Sequence, residues 1–130
     1  MNTKRIHQIL DELLNQHELP LEATVDRYFA TEYRQKTNGQ WDDRKNFVLH
    51  MSHLREILKS AEINVLDELR DGDRYATHHK ITANKRDGAC VIMEVYMFAT
   101  LDAEGRFTRV EETTLMLAGS EADRSMGNAK

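Results

Sequence analysis

His78 and Glu112 are the two residues whose types and predicted positions best suit acid–base chemistry. A carboxylate in apolar surroundings has a raised pKa, and a nearby imidazole can exchange a proton with it or with a bound ligand. The residues around both positions predict β-strands, so their proximity depends on how those strands pair. The alternative is a polar cross-strand pair whose members satisfy each other and take no part in chemistry.

The turn between the last two predicted strands sets their pairing. Residues 102–105 read Asp-Ala-Glu-Gly, a short polar loop with a glycine for a left-handed position. If the loop comprises these four residues, Leu101 pairs with Arg106, and Val95 then lies opposite Glu112. Directly paired residues point to the same face of a sheet, so Val95 and Glu112 are predicted to share a face.

The preceding hairpin brings a histidine to the same face. A loop at residues 85–88 puts His78 opposite Val95, whereas a slip of one residue substitutes His79 for His78. Both registers remain open, and His78 is the residue that we predict. The face so defined is largely apolar with a few polar groups: His78, Lys80, Val91, Met93, Val95, Met97, Val110, Glu112, Thr114 and Met116.

His50 and His53 stand three residues apart on a predicted helix and invite interpretation as metal ligands. A zinc site needs three or four ligands, and no Cys or His cluster in the sequence completes this one. We therefore predict no metal site and no cofactor. His50 falls on the apolar stripe of its helix, where it can reach a pocket. The sequence offers neither a glycine-rich phosphate loop nor a nucleophilic triad.

The composition is that of an ordinary globular protein: 130 residues, 40% hydrophobic and 31% charged. A chain of this length can bury a core without disulfides or metals. The net charge of −4 argues against a nucleic-acid partner, which favours a basic face. No apolar run approaches the roughly 20 residues that cross a bilayer, so no membrane association is predicted. The lone Cys90, expected as a small core residue, favours a reducing compartment, and we predict a cytoplasmic protein.

Three amphipathic helices are predicted to come first. Apolar residues recur at helical spacing over residues 4–16, 21–30 and 47–58, and Asp42 or Asp43 can cap the third helix. The intervening residues 31–41 lose this period and contain an Asn-Gly turn signal, so we expect a loop there. Four strands follow the helices, and their predicted ranges are 63–69, 74–83, 89–101 and 106–117.

This order predicts an α+β fold with the helices on one face of an antiparallel sheet. A sheet covered on one side alternates apolar and polar residues. The strand at 89–101 instead carries apolar residues on both faces, such as Val95 on one and Tyr96 on the other. The helices can cover one face, and we predict that a second copy of the chain covers the other, giving a homodimer through the sheet.

Three stretches resemble the SnoaL-like branch of the nuclear transport factor 2-like superfamily: Val25–Gln35, Asp71–Tyr75 and Asp102–Phe107. The resemblance spans nearly the whole chain and implies a conical barrel, in which three N-terminal helices pack inside a curved antiparallel sheet and leave a deep pocket. It implies a single SnoaL-like domain at residues 1–119, followed by a flexible tail at residues 120–130. The superfamily includes cyclases, isomerases, hydrolases, dehydratases and non-catalytic domains, so this fold does not fix a function.

The resemblance also implies where a ligand binds. Its pocket face would be the one that carries Val110, Glu112 and Thr114, and the ligand would be a small hydrophobic or cyclic molecule. The base, tyrosine and second acid of ketosteroid isomerases match positions near Thr37, Leu13 and Met97, none of which can do the same work. The residues expected to contact a ligand are Tyr28, His50, Val95, Met97, Thr114 and Met116.

Two functions from different classes follow. The first is a SnoaL-like small-molecule-binding domain, and specifically a cofactor-independent isomerase, cyclase or hydrolase-type enzyme in which His78 and Glu112 handle protons. The second is a non-catalytic dimerisation or accessory domain with a vestigial pocket. A pocket that accepts a ligand favours the first function, and a pocket filled by its own methionines favours the second.

Overall fold

The computed structural model describes residues 5–124, which form three helices and one six-stranded sheet. The α+β class is therefore confirmed. The helices are α1 (Arg5–Leu14), α2 (Leu21–Tyr28) and α3 (Arg44–Ile57). The strands are β1 (Phe29–Thr37), β2 (Gln40–Asp43), β3 (Leu58–Asp71), β4 (Arg74–Lys85), β5 (Cys90–Leu101) and β6 (Phe107–Ala118).

The helices begin and end close to where the sequence predicts. Asp43 caps α3, because its side chain accepts a 2.8 Å hydrogen bond from the backbone N–H of Asn46. Pro20 stands immediately before α2, where its fixed φ suits a helix start. The predicted first helix started at Lys4, which lies outside the described residues.

The sheet has the strand order β2-β1-β6-β5-β4-β3. The four long strands β3 to β6 form the predicted antiparallel meander. The prediction of a wholly antiparallel sheet is wrong at one pair, since β1 runs parallel to β6. The loop expected at residues 31–41 is instead the hairpin of β1 and β2, whose turn at Asn38 and Gly39 has positive φ at both residues.

Arg55 on α3 forms hydrogen bonds with the C-terminal end of α1. Its guanidinium donates hydrogen bonds of 2.7 Å to the carbonyls of Leu13 and Leu19 and of 3.0 Å to that of Glu12. The last carbonyls of a helix have no partner within the helix, and here the guanidinium supplies one. This arrangement fixes how α1 lies over the sheet and therefore shapes the space between them.

The two faces of β5 differ in burial. Val91, Val95 and Met97 are buried in the core between the sheet and the helices. On the outer face, Tyr96 is 48% exposed and Phe98 is 67% exposed. Residues 5–124 therefore leave the outer face of the sheet open, and the predicted burial of both faces requires something beyond them.

Two smaller predictions are corrected. Cys90, expected in the core, is exposed because it stands at the first position of β5, beside the hairpin loop. The predicted flexible tail is structured over its first residues: Glu121–Asp123 form a short 3₁₀ helix, and Asp123 makes a 3.0 Å ion pair with Lys85. The remainder of that tail, residues 125–130, lies outside the described residues.

Candidate functional site

A cavity of about 120 Å³ lies between the inner face of the sheet and the helices. Its wall is largely apolar and includes residues from α1, α3 and the sheet. Five of the lining residues carry polar groups: Tyr33, Gln35, His50, His79 and Glu112. An enclosed apolar space with a few converging polar groups is the usual form of a small-molecule site.

Glu112 is the one carboxylic acid among these lining residues. It lies on β6, where β5 places Met97 opposite it on one side and β1 places Thr37 on the other. Removal from water raises the pKa of Glu112 to about 7, and a hydrogen bond from Thr37 partly opposes that rise. Glu112 therefore exchanges a proton near neutral pH.

A chain of hydrogen bonds along β1 ends at Glu112. The Tyr33 hydroxyl donates to Gln35 Oε1 at 2.7 Å, and Gln35 Nε2 donates to Thr37 Oγ1 at 3.3 Å. Thr37 Oγ1 then donates to Glu112 Oε2 at 3.2 Å. Burial raises the pKa of Tyr33 well above its ordinary value, so its hydroxyl remains protonated and stays a donor.

His79 is a third titratable group that the sheet presents to the cavity, after Glu112 and Tyr33. It lies on β4 opposite Val95, it is 2% exposed, and its Nδ1 is 2.9 Å from Thr77 Oγ1. Burial, with a smaller effect from His78, lowers the pKa of His79 to about 4. His79 is thus neutral near pH 7. If the Thr77 hydroxyl donates to Nδ1, the other ring nitrogen carries the hydrogen and can donate to a ligand.

The predicted placement of His78 on the inner face is wrong, and the alternative register with His79 is the one observed. Asn84 pairs with Cys90, so five residues rather than four separate the paired strands. The extra residue turns His78 to the outer face. There its Nε2 is 2.6 Å from Glu94 Oε2, and its ring stacks on Tyr96 with centroids 4.3 Å apart.

The second hairpin is also shifted, without changing faces. Glu112 pairs with Met97 rather than with Val95, and Val95 pairs with Thr114. Leu101 pairs with Phe107 rather than with Arg106, which displaces the register by one residue, and an irregularity between Thr100 and Leu101 displaces it by one more. A shift of two residues preserves the alternation of side chains, so Glu112 still faces inward as predicted.

Three of the six predicted ligand residues, His50, Val95 and Met97, line the cavity. The other three, Tyr28, Thr114 and Met116, do not. The Tyr28 hydroxyl donates to Glu12 at 2.7 Å, between α2 and α1.

Thr114 anchors the β1–β2 turn, because its hydroxyl accepts a 2.8 Å hydrogen bond from Asn38. Met116 packs against the core beside Met93, its partner on β5. The positions of Tyr28, Thr114 and Met116 therefore do not support the ligand contacts predicted for them.

Sequence reasoning missed Gln35 as a cavity residue because it treated residues 31–41 as a loop. A signal was present: Tyr33, Gln35 and Thr37 alternate with Arg34 and Lys36, the period of a strand with one buried face. The buried members of this pattern are hydrogen-bonding side chains rather than aliphatic ones, which hides the strand from a search for apolar alternation.

No group of three or more His, Cys, Asp or Glu side chains within residues 5–124 could hold a metal ion. Across the same residues, no helix has the length and apolar character needed to cross a membrane.

Comparisons with known proteins identify the fold. No family model matches the chain. An uncharacterized protein from Schizosaccharomyces pombe is 29% identical over 103 residues, which are 79% of this chain and 78% of that protein.

Solved structures are similar at lower identity. A candidate isomerase of the SnoaL-like family from Agrobacterium tumefaciens is 14% identical, with a TM-score of 0.63 over 85% of this chain and 94% of that chain. A protein with a ketosteroid isomerase-like fold from Catenulispora acidiphila, solved with trimethylamine, is 10% identical, with a TM-score of 0.69 over 95% of each chain. The chain therefore shares its fold with these SnoaL-like and ketosteroid isomerase-like structures.

Proposed function

We propose that this chain, with its SnoaL-like fold, is a single small-molecule-binding domain spanning residues 1–119 that performs cofactor-independent acid–base chemistry. One observation carries the proposal: a carboxylic acid, Glu112, lines a largely apolar cavity, and removal from water raises its pKa to about 7. A group that titrates near the working pH is the most effective proton donor or acceptor. An isomerase, cyclase or hydrolase-type reaction of a cyclic or carbonyl compound suits such a group.

The roles divide between Glu112 and His79, two of the titratable residues that the strands bring to the cavity. Glu112 takes a proton from the ligand or returns one to it, and the hydrogen-bond chain through Thr37 steadies its charged form. His79, neutral and buried, takes the place predicted for His78 and orients the ligand or stabilises a developing negative charge by donating a hydrogen bond. His50 contributes a further polar contact from α3.

A binding screen tests this proposal. Monocyclic ketones, lactones and phenols are added to the protein, and ¹⁵N–¹H spectra report shifts of the β5 and β6 amides. Val95→Phe, which fills the cavity from the sheet side, serves as the control and should abolish the shifts while keeping the dispersed spectrum of a folded protein. Leu13→Phe fills the cavity from α1 if Val95→Phe disturbs the sheet. Ligands that shift the wild type and both filled variants alike would refute a function in this cavity.

The outer face of the sheet supports the predicted homodimer. Leu69, Ala76 and Phe98 stand side by side on β3, β4 and β5, and Leu69 and Phe98 are 72% and 67% exposed. Large exposed apolar side chains in a row mark an interaction surface, and a second copy of the same surface is self-complementary. Sedimentation at micromolar concentration tests this, and a mass of 15.1 kDa would contradict it.

A non-catalytic dimerisation or accessory domain is the second candidate, favoured by this same open face. It predicts a dimer whose cavity binds none of the screened compounds. The unpaired Cys90 supports a cytoplasmic location for either function.

A further inference from the structure

Resting on the proposed ligand-binding role, we propose that the cavity selects small lipophilic ammonium ions, amines of single-ring size, and that Glu112 is their counter-charge. The inference concerns which ligands the site accepts, and it combines three observations: the charge balance of the cavity, its aromatic wall and its volume.

The charge balance comes first. Glu112 is the acid of the cavity, and no ion pair to it occurs among the described residues. Its bonded neighbour is the neutral hydroxyl of Thr37, at 3.2 Å. A buried carboxylate without a cation is costly, and a ligand that brings a positive charge removes that cost. An anionic ligand would instead add a like charge.

Two other titratable groups that the sheet presents to the cavity supply no positive charge to balance Glu112. Tyr33 on β1 is protonated, because burial and Glu112 both raise the pKa of its hydroxyl. His79 on β4 is neutral, because burial lowers its pKa to about 4. His50 faces the cavity from α3. Arg5 on α1 lies 5.7 Å from the centre of the Phe107 ring and is not part of the cavity lining.

Aromatic rings supply the second observation. Phe29, Tyr33 and Phe47 line the cavity in mutual contact, with centroids 4.7 Å apart between Phe29 and each of the other two and 5.1 Å apart between Tyr33 and Phe47. The electron-rich faces of such rings attract cations within about 6 Å, and most strongly where water is excluded. An aromatic wall with one carboxylate is suited to an alkylammonium group.

Volume sets the size of the ligand. The cavity measures about 120 Å³. An engineered apolar cavity of about 150 Å³ holds benzene, so a single ring with a short substituent is the largest ligand that fits without rearrangement. Polycyclic substrates are too large for the cavity as it stands.

Three compounds that share a ring and differ in charge test the inference: benzylamine, benzyl alcohol and benzoate. Calorimetry at about pH 8, where Glu112 is ionised, should show benzylamine binding at least about tenfold more tightly than benzyl alcohol, and no binding of benzoate. Glu112→Gln should erase the preference for the amine and leave benzyl alcohol binding within about threefold of the wild type. Met51→Leu, a volume-conserving change at an apolar residue of the lining, is the matched control and should leave the order unchanged.

Proton linkage gives a second readout. Below about pH 7 benzylamine must displace a proton from Glu112, so its affinity should fall about tenfold for each further unit of pH. Titrations in two buffers of different ionisation enthalpy should detect that released proton. Benzyl alcohol binding as tightly as benzylamine, or an amine preference that survives Glu112→Gln, would overturn the inference while leaving the proposed function intact. Failure of all three compounds to bind would overturn both.

Discussion

Thr37 and Glu112 are directly paired across β1 and β6, the parallel pair of the described sheet, and a 3.2 Å hydrogen bond joins the Thr37 hydroxyl to the Glu112 carboxylate. This bond connects the hydrogen-bond chain of Tyr33, Gln35 and Thr37 on β1 to the carboxylate in the cavity. It opposes the effect of burial, which would otherwise raise the pKa of Glu112 further. The pairing therefore tunes the group that the proposed chemistry uses.

Replacing Thr37 by Val should raise the pKa of Glu112 above about 7, because the donor to the carboxylate is lost while burial remains. The shift should be roughly one unit, the size expected for one hydrogen bond to a charged group. A ¹³C titration of the side-chain carboxyl measures it. Thr37→Ser keeps the hydroxyl and should titrate like the wild type, and a pKa that falls in Thr37→Val would contradict this account.

Glu112→Gln should make the protein more stable at about pH 8. In the native protein the pKa of Glu112 is raised from 4.5 to about 7, so the native state holds a proton that the unfolded chain releases between these values. The contribution of Glu112 to stability is thus present below about pH 4.5 and is lost as pH rises through 7, a loss of about 3 kcal/mol. Urea unfolding at about pH 5 and pH 8 measures the effect, which should be largest at the higher pH.

The stability that His79 contributes should depend on pH in the opposite sense to that of Glu112, and His79→Gln tests this. The pKa of His79 falls from 6.5 to about 4 on folding, so protons favour the unfolded chain and stability is lost as pH falls through that window. The full loss is about 3 kcal/mol. In the wild type the two opposed slopes should nearly cancel between about pH 4.5 and 6.5. His79→Gln should therefore show stability that declines with rising pH there, and a flat profile in that variant would count against the assignment.

Phe98→Asp should weaken the proposed homodimer. A charge introduced in the row of Leu69, Ala76 and Phe98 would be buried without a partner at a sheet-to-sheet interface. The dimer dissociation constant should rise at least about a hundredfold, measured by sedimentation. Leu49→Asp, at a residue 50% exposed on α3 and away from the sheet, is the matched control and should leave the assembly unchanged. Equal effects of the two changes would contradict a dimer through the sheet.

Much of the fold follows from local sequence patterns. The apolar stripe of α3, with Asp43 as its cap, and the hydrophobic run of β5 are formed by neighbouring residues, and both are found where predicted. The strand β1 was missed because its partner β6 lies far away in sequence and its buried side chains Gln35 and Thr37 are polar. No local pattern reports such a distant parallel pairing.

Only part of the candidate site was predicted, because the positions of its residues depend on how the strands pair. Glu112 was placed correctly on the inner face, because a register error of two residues preserves the face. The choice between His78 and His79 depended on whether the hairpin loop has four or five residues. The residue types of the loop do not fix its length. Thr114 was misjudged because its role, holding the turn at Asn38, depends on the unrecognised strand β1.

The central claim is that Glu112 is an acid in a largely apolar cavity and that its pKa lies near neutral pH. A ¹³C-detected titration of the glutamate carboxyl carbons, with Glu112 assigned by its disappearance in Glu112→Gln, tests it directly. We predict a midpoint of about 7 for this resonance. A midpoint near the ordinary value of 4.5 would show that the carboxylate is solvated, and it would contradict the account.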